Sequence, residues 1–234
     1  MFILSLLKIE TNLIIIILIL QTMETISKEQ QLLNYVRENA ECGNINSVIN
    51  AIDKFSWEQH WMMNIGDAKA KIYEAELKKH NCKSVLEIGS YIGYSALIAI
   101  RAMGPGGKVL AVDPNNTTNA IAHQIWQFAG CKGRITLYNT DFNTMSSQWP
   151  PFKYDCVLLD HKKDEYFNDL MLINDRGWIG PGSVIVADNV ILFELDDYMK
   201  QVEQSGLFKD CVLHKTFMEY STERPDGVHV AVKI

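Results

Sequence analysis

The sequence has few cysteines, and no two of them have the spacing of a metal-binding or redox pair. The five are scattered, and no Cys-x-x-Cys occurs. This spacing excludes the usual structural zinc site and the thioredoxin-type redox motif. The odd number also leaves no complete disulfide framework, so we expect reduced cysteines that pack as small apolar residues. These residues are Cys42, Cys82, Cys131, Cys156 and Cys211.

Positive charge is also scarce. The chain has 22 Lys and Arg residues against 28 Asp and Glu residues, which gives a net charge of −6. No basic stripe is present, so we expect no nucleic-acid partner. Internal repeats and low-complexity linkers are absent as well. The 234 residues are enough for one α/β domain with a sizeable core, and we predict a single domain over residues 24–234.

The chain also lacks an unbroken hydrophobic run of membrane-spanning length. Residues 13–20 are eight consecutive aliphatic residues and residues 2–7 are mostly apolar, but Lys8 and Glu10 lie between them. A spanning helix needs about 20 mostly apolar residues, and the core of a signal peptide about 7–15. Residues 1–22 could therefore be an uncleaved anchor, a leader, or an extension outside the folded unit. Membrane association through residues 2–20 stays open.

Short apolar runs alternate with helical patterns through most of the chain. This alternation predicts a doubly wound α/β fold with a mostly parallel, seven-stranded sheet. Residues 28–80 have helical apolar spacing and predict extra N-terminal helices. Strands at 211–217 and 228–234, with a turn at Pro225-Asp226-Gly227, predict an antiparallel C-terminal edge. The other strands are predicted at 84–88, 108–112, 134–138, 154–159 and 183–187, with helices at 95–102, 118–129, 164–174 and 195–205.

Two of the predicted strands end in acidic residues. One apolar run leads into Asp160, and the next leads into Asp188-Asn189. Ligand sites in open α/β sheets lie beyond the carboxyl ends of the strands, so these side chains should meet at one edge. Carboxylate and amide oxygens suit a hard cation such as Mg²⁺. The sequence therefore predicts a metal site at this edge.

A glycine-containing turn follows the first predicted strand. Glu87 lies one residue before the end of that strand, and Gly89 and Gly93 can adopt backbone angles that a side chain would obstruct. The spacing lacks the second glycine of the dinucleotide fingerprint, which weakens a pyrophosphate interpretation. The next strand ends at Asp113, where an acidic residue can hold a ribose diol. A ribose without a pyrophosphate indicates S-adenosylmethionine rather than NAD.

Two overlapping glycosylation sequons, at Asn115 and Asn116, follow this ribose position. A glycan there would obstruct the cofactor site. We therefore expect a cytoplasmic protein or, if residues 1–22 form an anchor, a catalytic domain that faces the cytosol.

Five stretches together resemble the catechol O-methyltransferase family, which consists of class I, Mg²⁺-requiring, S-adenosylmethionine-dependent enzymes. Order and spacing agree as well as residue identity, and the resemblance covers about residues 28–220. The stretches are Trp61-x-Met63-Asn64-x-Gly66-Asp67-Ala68-Lys69, Leu86-Glu87-x-Gly89-x-Tyr91-x-Gly93-Tyr94-Ser95, Leu159-Asp160-His161-x-Lys163, Ala187-Asp188-Asn189-Val190 and Glu219-Tyr220.

The resemblance implies a role for each matching position. Lys163 would be the general base, and Glu219 would hold the second hydroxyl of a catechol, including catecholamine-type substrates. Asp160, Asp188 and Asn189 would bind Mg²⁺. Trp61 and Met63 would contact the substrate together with Lys163, Asn189 and Glu219. The cofactor-binding positions would be Ile65, Glu87, Gly89, Tyr91, Ser95, Asp113 and Asp160.

Some positions depart from the family pattern, and two alternatives stay open. Lys162 stands where the family has a tryptophan, Phe193 replaces a proline, and Asp113 is shorter than the family's glutamate. The first alternative is a broader Mg²⁺-dependent phenol or caffeoyl-type O-methyltransferase. The second is a non-catalytic, membrane-tethered binding protein of the same fold. We expect a monomer acting on a small molecule.

Overall fold

The computed structural model describes residues 26–131, 133–148 and 152–234. The apolar segment predicted at residues 1–22 lies outside the described residues. None of the helices within these ranges is long and apolar enough to cross a membrane.

A seven-stranded sheet forms the centre of the fold. Across the sheet the strand order is β3-β2-β1-β4-β5-β7-β6. The first five strands pair in parallel, whereas β7 runs antiparallel to both β5 and β6. The predicted doubly wound, mostly parallel sheet with an antiparallel C-terminal edge is confirmed. The strands are β1 (Ser84–Ile88), β2 (Lys108–Val112), β3 (Ile135–Tyr138), β4 (Cys156–Leu159), β5 (Val184–Ala187), β6 (Phe208–Phe217) and β7 (Pro225–Lys233).

Within residues 26–83, three helices precede the sheet, as the apolar spacing predicts. Asparagine and serine side chains begin several helices by accepting hydrogen bonds from free backbone N–H groups. Ser27 does so at α1, Asn44 at α2 and Asn115 at α5. The helices are α1 (Lys28–Asn39), α2 (Ile45–Glu58), α3 (Gly66–Lys79), α4 (Tyr94–Met103), α5 (Asn116–Phe128), α6 (Phe142–Gln148), α7 (Tyr166–Asp175) and α8 (Asp196–Gln204), and a 3₁₀ turn at Lys163–Glu165 precedes α7.

Helices cover both faces of the sheet, and each face has its own core. Successive strand residues point to opposite faces, so Val85 joins one core and Leu86 the other. The first core packs against α1 to α5, and the second against α6, α7 and α8. Burial on both faces explains why the parallel strands read as nearly unbroken apolar runs.

The turn predicted at Pro225-Asp226-Gly227 is wrong. These residues begin β7, and the loop between β6 and β7 lies at residues 218–224, where Met218 N donates to Arg224 O. Proline is tolerated at the first residue of a strand. The Asp226 side chain accepts from the backbone N–H of Gly227, so an aspartate–glycine pair that favours turns is held in a strand instead.

Candidate functional site

A cavity of about 870 Å³ opens beyond the carboxyl ends of β1, β2, β4 and β5. Residues that follow these strands line it: Gly89 after β1, Asp113 after β2, Asp160 after β4 and Asp188 after β5. Because the strands are parallel, their carboxyl ends lie at one edge of the sheet. The two acidic strand ends that the sequence predicts to converge therefore share this cavity.

The cavity also brings together nearly all of the other predicted site residues. Glu87 is the exception, since it is fully buried within β1 and does not line the cavity. The individual roles assigned to these positions stay predictions. The predicted residues that line the cavity are Trp61, Met63, Ile65, Gly89, Tyr91, Ser95, Asp113, Asp160, Lys163, Asp188, Asn189 and Glu219.

The glycine loop after β1 fits closely against its neighbours. Gly89 has φ +89°, and a Cβ atom there would lie 2.0 Å from the Asp160 carbonyl oxygen. Gly93 has φ +78°, and a Cβ there would lie within 2.3 Å of the Trp126 ring. Both positions therefore require glycine for conformation and for space. Trp126 Nε1 also donates to Gly93 O at 2.8 Å, which ties the loop to α5.

The Asp113 side chain supports this loop from β2. Its Oδ2 accepts hydrogen bonds from Ser90 N and Tyr91 N, both at 3.0 Å. Its Oδ1 accepts from Asn115 N at 2.8 Å, so one of the four lone pairs of the carboxylate is left for a ribose hydroxyl. The predicted ribose position therefore also holds the glycine loop in place.

Tyr91 connects the loop to the N-terminal helices. It adopts φ +49°, and its hydroxyl donates to Glu29 of α1 at 2.6 Å. Its ring packs against the core on the α1 side of the sheet, and the residue lines the cavity. The cavity wall beside the glycine loop thus depends on a helix more than 60 residues earlier in the chain.

Asp160 and Lys163 form an ion pair at the end of β4. Lys163 Nζ lies 2.8 Å from Asp160 Oδ1 and donates to the Tyr166 hydroxyl at 2.7 Å. Tyr166 is completely buried, and its hydroxyl donates to the Asp188 carbonyl oxygen at 3.3 Å. These contacts hold the Lys163 amine between the two acidic strand ends.

Asp188 and Asn189 follow β5 and are both buried. Asn189 has φ +59°, a conformation that asparagine tolerates better than most residues. Its Nδ2 donates to Asp226 Oδ2 at 2.9 Å, which leaves the amide oxygen free for a ligand. Asp188 Oδ1 accepts no hydrogen bond from the described residues, but it lies 2.9 Å from Lys69 Nζ in an ion pair. The Asn189 amide oxygen and the Asp188 carboxylate are both oxygen ligands of the kind that suits a hard cation.

A buried lysine of α3 lies behind these residues. Lys69 Nζ donates to Asp188 at 2.9 Å, Glu219 at 3.0 Å and Asp226 at 2.8 Å. Burial favours the neutral amine, but the three carboxylates outweigh it and raise the pKa of Lys69. Burial also opposes ionisation of Asp226, yet Lys69 and Asn189 lower its pKa overall. Both groups are therefore charged.

This end of the cavity has more negative than positive charge. If all groups are ionised, four carboxylates surround two ammonium groups and leave two negative charges unbalanced. Burial raises the pKa of Asp188 even though Lys69 opposes the shift. A dication would balance the excess and favour the ionised carboxylate, so the residues present fit Mg²⁺. The groups are Lys69, Asp160, Lys163, Asp188, Glu219 and Asp226.

Glu219 lies in the loop between β6 and β7, which the N-terminal helices hold in position. The Tyr220 hydroxyl donates to Asn64 Oδ1 at 2.9 Å, and the same oxygen accepts from Gly66 N at 2.8 Å. A Cβ atom at Gly66 would lie 2.6 Å from Glu219, so the start of α3 and this loop touch directly. Trp61 Nε1 also donates to Glu219 O at 3.2 Å.

The mouth of the cavity is apolar and open. Trp61, Met63 and Phe193 line it with 42%, 57% and 53% of their surfaces exposed. Lys162 also reaches the cavity, but its side chain is 71% exposed and pairs with Glu165 at 2.9 Å. This largely exposed side chain therefore does not cover the mouth of the cavity, at a position where the family pattern has a tryptophan.

Sequence reasoning missed Lys69, Asp226 and Tyr166. Lys69 lies in one of the stretches quoted for the family resemblance, but nothing in the local sequence shows that it is buried. Asp226 was assigned to a turn. Tyr166 lies three residues beyond Lys163, which is the helical spacing that places two side chains on one face. This spacing is the signal that could have revealed it.

Comparison with known protein families gives a match over most of the chain. A family model described as O-methyltransferase matches residues 41–205. Catechol O-methyltransferase of Mus musculus is 35% identical over 211 residues, which are 88% of this chain and 78% of the mouse protein. A probable O-methyltransferase of Mycobacterium tuberculosis is 34% identical over 86% of this chain and 90% of its own length.

A solved structure agrees in fold. The O-methyltransferase from Bacillus cereus, in complex with SAH, superimposes with a TM-score of 0.67. The superposition covers 86% of this chain and 91% of the bacterial chain, at 16% sequence identity. At this identity the likeness concerns the fold alone.

Proposed function

Because the chain belongs to the O-methyltransferase family, and resembles its catechol O-methyltransferase members, we propose that it transfers a methyl group from S-adenosylmethionine to one hydroxyl of a catechol in the presence of Mg²⁺. The observation that carries the proposal is one shared cavity beside the glycine loop. In it Asp160, Asp188, Asn189 and Lys163 lie together with Glu219.

The protein residues fall into two groups in this proposal. Gly89, Ser95 and Asp113 bind the cofactor at one end of the cavity. Asp160, Asp188 and Asn189 hold the metal at the other. A bound dication supplies positive charge that favours an ionised hydroxyl over a neutral one. Catecholamine-type substrates belong to the proposed range, together with other catechols.

Lys163 would accept the proton of the reacting hydroxyl. The amine must be neutral to do so. The hydroxyl oxygen then forms a bond to the methyl carbon as the carbon–sulfur bond breaks. The sulfonium becomes a neutral thioether, and the proton stays on Lys163. Glu219 would accept a hydrogen bond from the second hydroxyl and orient the ring.

A broader phenol or caffeoyl-type acceptor range is the second candidate. The observation in its favour is the open mouth, where the Lys162 side chain is largely exposed and pairs with Glu165, and Phe193 is half exposed. A flat bicyclic or esterified phenol could extend through this opening. Such a protein would also methylate single phenols, which have no neighbouring hydroxyl and for which Glu219 is dispensable. It would also methylate caffeoyl esters, which are catechols that carry an extended ester chain.

The test is an activity panel with purified protein. Catechols, single phenols and caffeoyl esters would each be assayed with S-adenosylmethionine, with Mg²⁺ and with a chelator. Methylation of simple catechols without methylation of single phenols or caffeoyl esters, and only with Mg²⁺, supports the first candidate. Comparable methylation of single phenols or caffeoyl esters supports the second. Cofactor binding without turnover of any acceptor would instead favour a non-catalytic binding protein.

We also propose that the domain acts as a monomer in the cytosol. Asn115 is exposed, lines the cavity, and uses its side chain to begin α5. A glycan on the Nδ2 of this amide would obstruct the cofactor end, while Oδ1 would still accept the hydrogen bonds that begin α5. A glycan found on Asn115 of active protein would contradict this location.

A further inference from the structure

Lys69 lies at the centre of a buried ionic cluster behind the proposed metal site. Its side chain is 0% exposed and contacts three carboxylates at 2.8–3.0 Å. One belongs to Asp188 after β5, one to Glu219 in the β6–β7 loop and one to Asp226 in β7. The lysine thus joins a proposed metal ligand to the proposed anchor of the substrate.

Asp226 extends the cluster to a second proposed metal ligand. Its Oδ2 accepts from Lys69 and also from Asn189 Nδ2 at 2.9 Å. Its Oδ1 accepts from Leu192 N at 3.1 Å and Gly227 N at 2.7 Å. Both carboxylate oxygens are therefore occupied by donors within the protein. The group is fully buried and faces no solvent.

The hydrogen bond from Asn189 to Asp226 decides which end of the Asn189 amide faces the cavity. An amide has one acceptor oxygen and one donor nitrogen, and only the oxygen can bind a cation. Asp226 engages the nitrogen, so the oxygen is the end left for the metal. Without an acceptor at this place, the amide could rotate and present its nitrogen.

We propose that Lys69 and Asp226 are positioning residues that orient the metal-binding oxygens of Asp188 and Asn189 and the substrate carboxylate of Glu219 before any ligand binds. This inference rests on the proposed metal-dependent function. Neither residue touches the reacting atoms, so both act through the groups they hold. Partners of this kind typically change metal affinity or activity by about 10–100-fold when substituted.

A purely structural ion cluster is the competing explanation. Buried ion pairs can be replaced by apolar residues without loss of stability, so burial alone does not show a role at the site. The two explanations predict different effects of substituting Lys69 or Asp226. A structural role alters the stability of the fold, whereas a positioning role alters metal affinity in protein that remains folded.

The test is Mn²⁺ binding, measured by electron paramagnetic resonance with protein saturated with S-adenosylmethionine. Asp226→Asn is the milder variant because it keeps the size of the side chain. Its single amide oxygen can accept either from Lys69 and Asn189 or from the two backbone N–H groups, but not from both pairs. The double variant Lys69→Met with Asp226→Leu removes one charge of each sign and so separates positioning from net charge. Asp155→Asn is the matched control. Asp155 also accepts backbone N–H bonds, from Lys83 and Ser84 at 2.7 and 2.9 Å, but before β4, outside the cavity.

We expect Asp226→Asn and the double variant to weaken Mn²⁺ binding by about 10–100-fold while cofactor affinity stays within about twofold. The control should bind Mn²⁺ normally. If the double variant does not fold, Asp226→Asn decides. Folded variants with unchanged Mn²⁺ affinity would overturn this inference but not the proposed function. Absence of Mn²⁺ binding by the unsubstituted protein would overturn the proposed function, and the inference with it.

Discussion

At the residue scale, two adjacent lysines have different surroundings. Lys163 is held between Asp160 and Tyr166, whereas Lys162 points outward to Glu165. Both line the cavity, but of the two only Lys163 contacts a proposed metal ligand, beside which the reacting hydroxyl would lie. Removing a general base typically costs about 10²–10⁴ in rate. We therefore expect Lys163→Ala to lower kcat by this factor and Lys162→Ala to leave kcat nearly unchanged.

Steady-state kinetics with a catechol acceptor check this prediction, with cofactor affinity measured by calorimetry as a control for folding. Both variants should bind S-adenosylmethionine as the unsubstituted protein does. The reverse ranking, with Lys162 essential and Lys163 dispensable, would show that the proposed base is the wrong lysine.

Glu87 is a second residue with a measurable consequence. Burial raises its pKa to about 8, an effect that the Ser90 and Ser95 hydroxyls reduce and the charges of Asp160 and Asp113 reinforce. The folded protein therefore keeps a proton that the unfolded chain releases above about pH 4.3. Stability contributed by this proton is present at low pH and is lost as pH rises to about 8.

Replacing the carboxyl by an uncharged amide should remove this pH dependence. We expect Glu87→Gln to gain stability over the unsubstituted protein between pH 6 and pH 8, by at most about 1.4 kcal/mol per pH unit. Urea unfolding of ligand-free protein across this range measures the difference. Glu58→Gln, an exposed helical change, is the control. A constant difference between the Glu87→Gln and unsubstituted proteins would contradict the prediction.

Residues with a chemical role were easier to predict than the residues that support them. Asp160, Asp188 and Asn189 directly follow apolar strands, so local sequence places them at the sheet edge. The partners of Lys69 lie 119–157 positions away in sequence, and no local pattern shows which distant charges meet. The ionic cluster therefore emerges only from the complete fold.

At the element scale, Gly89 in the glycine loop differs from Gly177, which follows α7, in the space that each has for a side chain. Gly89 has a positive φ and no room for a Cβ, whereas Gly177 has φ +68° with nothing within 4 Å. Alanine at Gly177 adds only the conformational cost, about 1–2 kcal/mol. Alanine at Gly89 must also displace the Asp160 backbone. We expect Gly89→Ala to abolish cofactor binding and Gly177→Ala to preserve it.

Calorimetric titration with S-adenosylmethionine checks this expectation, after circular dichroism has established which variants are folded. Equal cofactor affinity in the two alanine variants would show that the close approach of Gly89 to Asp160 has no role in the cofactor site.

The elements that the sequence predicted best are those buried on both faces. Strands β1 and β2 have the predicted bounds, because their apolar runs stop where burial stops. α6, with seven residues and a polar face, was not predicted. The C-terminal hairpin was predicted, but its loop was placed too late. The reason is that Asp226 satisfies Gly227 N and Leu192 N from within the strand.

At the scale of the whole molecule, the site depends on elements from both ends of the chain. α3 contributes Lys69 and the hairpin of β6 and β7 contributes Glu219 and Asp226, while the middle strands contribute Asp160 and Asp188. The repeated β–α pattern was enough to predict the sheet. Its strand order and the contact of the N-terminal helices with the cavity were not predictable from local periodicity, since they depend on packing between distant segments.

The predicted domain boundary at residue 24 can be tested by truncation, because α1 contacts the cofactor end of the cavity. Ser27 begins α1 by accepting from Gln30 N, and Glu29 holds the Tyr91 hydroxyl at 2.6 Å. A chain that starts at residue 24 keeps both contacts, so we expect it to fold and bind S-adenosylmethionine like the full chain.

A chain that starts at residue 41 loses α1, whose Leu32, Leu33 and Val36 are completely buried, and should be less stable and bind the cofactor more weakly. Thermal unfolding and calorimetry on the two truncations measure this difference. A chain from residue 24 that fails to fold would show that residues 1–23 belong to the folded unit, contrary to the prediction.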